Sequence, residues 1–122
     1  MDKKNVYLTG FKNQSEIGKY YAAADIFVLA SGAGETWGLV VNEAMNFGLP
    51  VLVSDTVGCK DDLVEENKNG FVVKCGDFKG LSSRLKNLIV SGKLETLGAN
   101  SYKLIEDFSY KKIINGLSKV VN

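Results

Sequence analysis

Two glutamates, Glu35 and Glu43, bracket the stretch of this chain with the greatest chemical potential. Leading into it is Ser31-Gly32-Ala33-Gly34-Glu35-Thr36, a glycine-rich turn between the apolar run Ile26-Phe27-Val28-Leu29 and a helically spaced stretch from Trp37 to Phe47. Glycine lets backbone approach a ligand closely, and the first turn of a helix presents unpaired N–H groups with a partial positive charge. Together they make a place for an anion such as a phosphate. The glycine spacing is not GxGxxG and no GK[ST] follows, so neither a dinucleotide fingerprint nor a Walker A loop is present. A plain strand-to-helix turn is the alternative. Glu43 lies between the apolar positions Leu39, Val40 and Phe47 and the polar pair Asn42 and Asn46 on the helical wheel. None of residues 39, 40, 46 and 47 is a cation, so no ion-pair partner sits one turn away. A half-buried carboxylate needs a donor, either ligand hydroxyls or backbone N–H groups of a neighbouring loop. As a hydrolytic acid/base pair the two glutamates are too widely spaced. The helix between them spans ~12 Å, against roughly 5 to 9.5 Å for paired glycosidase carboxylates. That spacing better suits two ends of one elongated ligand.

Composition removes many other chemistries. The 122 residues contain no histidine, which excludes Ser-His-Asp and Cys-His machinery, HExxH zinc sites and imidazole acid/base work within this chain. Cys59 and Cys75 are too few for a zinc ribbon or a disulfide framework. They read as reduced thiols of a cytoplasmic protein, with one bridge as the alternative. Fifteen Lys and Arg against fourteen Asp and Glu give a net charge of +1, with no basic run to suggest nucleic acid as a partner. Met1 to Asn5 is polar and lacks the apolar segment of a signal peptide. No apolar run is long enough to span a membrane, and nothing has the basic amphipathic face of a membrane-surface helix.

The elements that must position these residues alternate in type. Val6-Tyr7-Leu8-Thr9 reads as a short strand closed by Gly10, and Ser15 to Ala24 as a helix. Ile26 to Leu29, Val51 to Val53 and Phe71 to Val73 are apolar on both faces, the pattern of buried parallel strands. Gly48-Leu49-Pro50 stops the helix from Trp37 to Phe47, and Asn69-Gly70 introduces the last strand. Asp77 is placed to cap a helix bearing Leu81, Leu85, Leu88 and Ile89; a second helix carries Leu94 to Ile105, and Ser109 is placed to cap a third. Strands alternating with helices predict an α/β domain with a Rossmann-like parallel sheet of about four strands and a C-terminal helical tail. In such sheets ligands bind at the carboxyl ends of the strands, where the glycine-rich turn lies.

The block from Glu35-Thr36-Trp37-Gly38-Leu39 through Glu43-Ala44-Met45 to Gly48-Leu49-Pro50-Val51 resembles the E-x7-E signature of family 4 (group 1) glycosyltransferases. Tyr20 to Leu29 is similar to that family's "Y..AD.fvlPS" segment. Val57-Gly58-Cys59-Lys60-Asp61-Asp62-Leu63-Val64 and Asn69-Gly70-Phe71 are similar to its "G...[DE].v...nG" region. Ala30 stands where the family usually has proline, and Asp62 where it often has glutamate. The likeness spans Val6 to Val73. It implies a GT-B enzyme that is retaining and uses a nucleoside-diphosphate sugar as donor, with no metal or other cofactor. It also implies roles. Glu35 would be the catalytic residue, contacting donor-sugar hydroxyls near the reacting carbon. Backbone N–H groups of Thr36, Trp37, Gly38 and Leu39 would hold the sugar and diphosphate. Glu43 would accept from the ribose hydroxyls, and Gly10 and Phe11 would lie near the nucleobase. Trp37 itself reads as a packing residue at the helix start.

The resemblance further implies that residues 1–122 are one partial domain, the later half of the donor-binding domain. The acceptor domain and the family's basic pair are missing, so the chain alone would be inactive. The acceptor (a glycan, a lipid or a small molecule) and any tie to the inner membrane face would belong to the missing parts, and polysaccharide biosynthesis is the implied setting. A non-catalytic binding or assembly module that kept the fold is the alternative. In the Rossmann-like order 3-2-1-4-5-6, the four strands correspond to 3, 4, 5 and 6. Val6 to Thr9 thereby loses its native neighbours, and it is expected to pair with Ile26 to Leu29 or to favour self-association.

Overall fold

A computed structural model describes residues 5–30 and 39–121. Helix α1 (Gln14–Ala23) starts at Asn13, whose side chain accepts from Glu16 N at 3.0 Å. It ends where Ala24 turns extended and leads to strand β1 (Phe27–Leu29). Helix α2 (Leu39–Asn46) is closed by Gly48, whose φ of +70° only glycine adopts without strain. Strand β2 (Val51–Ser54), the single turn α3 (Lys60–Leu63) and strand β3 (Gly70–Val73) follow. Helix α4 (Phe78–Val90) begins at Asp77, whose carboxylate accepts from Gly80 N at 2.9 Å, and α5 (Leu94–Val121) closes the chain.

The sheet is parallel, in the order β1-β2-β3, with Phe27 opposite Val51 and Val51 opposite Gly70. All four residues of the central strand β2 are buried, as an apolar run with neighbours on both faces requires. Val51 and Val53 face a layer built from Tyr21 of α1, Val41, Ala44 and Met45 of α2, and Ile105 of α5. Leu52 faces the other layer, with Phe71, Leu88 of α4 and Leu97 of α5. The helical tail therefore covers one sheet face through α4, while α5 contributes to both. Asn69, fully buried, ties the loop before β3: it accepts from Glu65 N at 2.7 Å and donates to the Leu63 carbonyl at 2.8 Å.

Three features correct the sequence expectations. The sheet has three strands, because Val6 to Thr9 is not a strand and does not pair with β1. Tyr7 is 80% and Leu8 96% exposed; with no strand adjacent, the backbone groups of that segment have no ladder to join. Ser109 caps nothing. It lies inside α5, directly after the core-packed Leu104, Ile105 and Phe108, and no glycine or proline stands within five residues of it to break the helix. The turn α3 is an addition, too short to show a period in the sequence. Cys59 is buried and Cys75 exposed.

Candidate functional site

Because the strands are parallel, their carboxyl ends at Leu29, Ser54 and Val73 share one edge of the sheet. A hollow of about 230 Å³ opens there, lined by Ala30, Ser54, Val73, Lys74, Gly76 and Asp77 among others. Asp55, just past β2, accepts from Cys75 N at 3.0 Å and ties the ends of β2 and β3 together. Helix α2 returns from this edge after β1, so its first turns lie on the ligand side of the sheet expected of an open α/β fold.

Glu43 sits one turn into α2 and is half-buried, as its place on the helical wheel predicts. Among the described residues it forms no ion pair with a lysine or arginine. Its donor is neither of the two kinds anticipated. The Tyr21 hydroxyl donates to Glu43 Oε2 at 3.0 Å, across 22 residues of sequence. The Tyr21 ring is stacked on Phe47, with centroids 5.3 Å apart, and tilted against Phe27 at 6.0 Å. Burial raises the tyrosine's pKa first, and the hydrogen bond to Glu43 and its negative charge raise it further, to about 12. The hydroxyl is therefore protonated, and donating, throughout the ordinary pH range. Next to Glu43, the Asn42 side-chain oxygen is buried with no hydrogen-bond partner among the described residues.

The other predicted site residues fare differently. Glu35, Thr36, Trp37 and Gly38 lie outside the described residues. Leu39 opens α2 as described and is 67% exposed. Gly10, with φ at +71°, lines a hollow of about 430 Å³ beside β1, together with Tyr21, Phe27, Leu29 and Val40. Phe11 is 93% exposed. Tyr21, which the sequence reading missed, lines the same hollow as Gly10 and donates to Glu43, which does not itself line it. The signal was available: a tyrosine at an otherwise core-facing position must find a partner for its hydroxyl.

The family model described as "Glycosyl transferases group 1" matches residues 2–104. The chain belongs to that family. It is 40% identical over 83 residues to the sulfoquinovosyl transferase SQD2 of Arabidopsis thaliana, a match covering 66% of this chain and 16% of the relative. Its fold superposes on the C-terminal domain of the group 1 glycosyl transferase LpcC from Francisella tularensis. The TM-score is 0.75 and the identity 28%, over 87% of this chain and 54% of that one. It also matches Anabaena Alr3699/HepE, solved in complex with UDP-glucose, with a TM-score of 0.69 and 27% identity over 83% of this chain and 29% of that one. The α/β fold with its three-stranded parallel sheet is thus that of a group 1 glycosyl transferase domain of the GT-B fold. The chain spans between 16% and 33% of the length of curated relatives that it matches. Among the described residues, no helix is long and apolar enough to cross a membrane.

Proposed function

We propose that this group 1 glycosyl transferase chain carries the donor half of a retaining, nucleotide-sugar-dependent reaction. In this reading the donor lies along the carboxyl edge of the sheet. Glu43 takes the ribose hydroxyls, the N–H groups at the start of the helix take the diphosphate, and Glu35 lies nearest the reacting sugar carbon. Leaving-group charge is stabilised by those N–H groups and by cations from outside residues 1–122. The acceptor and its binding groups also belong to the remainder of a full-length enzyme. The observation that carries the reading is Glu43 itself: a half-buried carboxylate in the helix that follows β1, with one oxygen held by Tyr21 and, among the described residues, no lysine or arginine paired with it. The UDP-glucose held by the Anabaena neighbour supports the donor class.

With only the Glu43 and helix-start contacts available, nucleoside diphosphates should bind the chain no tighter than about 0.1 mM. Replacing Glu43 by alanine should weaken that further, by one or two hydrogen bonds to a charged group of about 1.5–3 kcal/mol each. Calorimetric titration with uridine, guanosine and adenosine diphosphates measures both. Sub-micromolar binding, or affinity unchanged in Glu43→Ala, contradicts the reading.

A further inference from the structure

We propose that Tyr21 is a positioning residue of the donor site: its hydroxyl pins Glu43 Oε2 so that Oε1 is left for the ribose hydroxyls of a bound nucleotide. The inference rests on the ribose role proposed for Glu43.

Three observations carry it. The Tyr21 hydroxyl has a single hydrogen, and at 3.0 Å it is committed to Glu43 Oε2. The ring is 7% exposed and held between Phe47 and Phe27, so the hydroxyl has a fixed place from which to donate. Phe47 directly follows α2, four residues after Glu43, and Phe27 opens the strand that leads to the ligand edge. A phenylalanine would make the same ring contacts, and the hydroxyl adds only a desolvation cost unless its hydrogen bond is used. The donor is also neutral. A lysine in its place would neutralise the carboxylate, whereas tyrosine orients Glu43 and leaves its full negative charge to attract sugar hydroxyls. A carboxylate so held loses little rotational freedom when a ligand arrives.

A purely structural bond tying α1 to α2 would stabilise the fold without changing what the site recognises. The test therefore reads recognition. Uridine, guanosine and adenosine diphosphates are each titrated against the 2′,3′-dideoxy counterpart, into the chain, Tyr21→Phe, Glu43→Ala and the double variant. Thermal midpoints are taken first. The unchanged chain should prefer the hydroxyl-bearing ribose by about tenfold or more, as expected for hydrogen bonds to a charged group. Glu43→Ala should abolish the preference, Tyr21→Phe should cut it by about threefold or more, and the double variant should be no worse than Glu43→Ala. A full preference in folded Tyr21→Phe, with none in Glu43→Ala, overturns the positioning role and leaves the ribose role standing. A full preference in Glu43→Ala, or no binding of any of the three nucleotides, overturns both. Should Tyr21→Phe fail to fold, the Tyr21 ring-carbon NMR signal of the unchanged chain decides. It should shift with the ribose nucleotide and not with the dideoxy one, and equal shifts overturn the proposal.

Discussion

A phenol facing a carboxylate within an apolar cluster is stable only while the phenol keeps its proton. Tyr21 ionises near pH 10 in an unfolded chain and near 12 beside Glu43, so folding favours its protonated form. The resulting stabilisation is complete below pH 10 and disappears as the pH climbs through 12. Urea unfolding of the chain and of Tyr21→Phe between pH 8 and 12 should show a gap that closes across that window, by about 2–3 kcal/mol at most. Parallel curves would mean that the hydroxyl makes no such bond. At this scale the sequence is legible for Glu43: its spacing and the absence of a neighbouring cation state that a donor must come from elsewhere. For Tyr21 it says only that a core-facing hydroxyl needs a partner, and not which one, because a contact across 22 residues leaves no local periodicity.

Helix boundaries follow the same division between local and distant causes. Asp77 as a cap and Gly48 past the end of α2 are local chemistry, visible in the residues and found in the structure. Ser109 is equally able to cap, yet α5 runs through it because the apolar stripe of Leu104, Ile105 and Phe108 is anchored on the sheet layer. Gly98 shows a distant cause most clearly. Helix α5 packs on α2 there, and a Cβ on Gly98 would collide with the Gly48 carbonyl oxygen. In an open helix, glycine to alanine gains up to about 1 kcal/mol. Here the backbone must move apart, so Gly98→Ala should destabilise the chain by about 1–3 kcal/mol. A thermal midpoint that rises instead of falling would show that the two segments are not packed so closely.

The two edges of the sheet are treated differently. On β3, Val72 N donates to Glu66 Oε2 at 2.9 Å, and Arg84 from α4 pairs with the other Glu66 oxygen at 3.9 Å. The Arg84 guanidinium also lies 4.7 Å from the centre of the Phe71 ring. That edge is capped by side chains. On β1 the outer edge has no strand partner among the described residues, and exposed Tyr7, Leu8 and Phe11 add apolar surface to the same end of the chain. Open edges and apolar patches favour association. We expect the chain to self-associate at about 0.1 mM through β1; light scattering that reports a monomer at that concentration would contradict this. The parallel α/β class was legible from three doubly apolar strands. The strand count was not, since Val6 to Thr9 has a strand's composition and lacks only the neighbour that a sequence cannot display.

The most direct test of the donor site is to map where a nucleotide sugar touches the chain, by amide NMR shifts during titration with UDP-glucose. Shifts should gather at Glu43 and its neighbours in α2, at Tyr21, and at the strand ends around Ala30 and Ser54. Shifts confined instead to the opposite end of the sheet, in the hollow lined by Asn67, Arg84 and Lys93, would contradict the assignment of the carboxyl edge as the donor site.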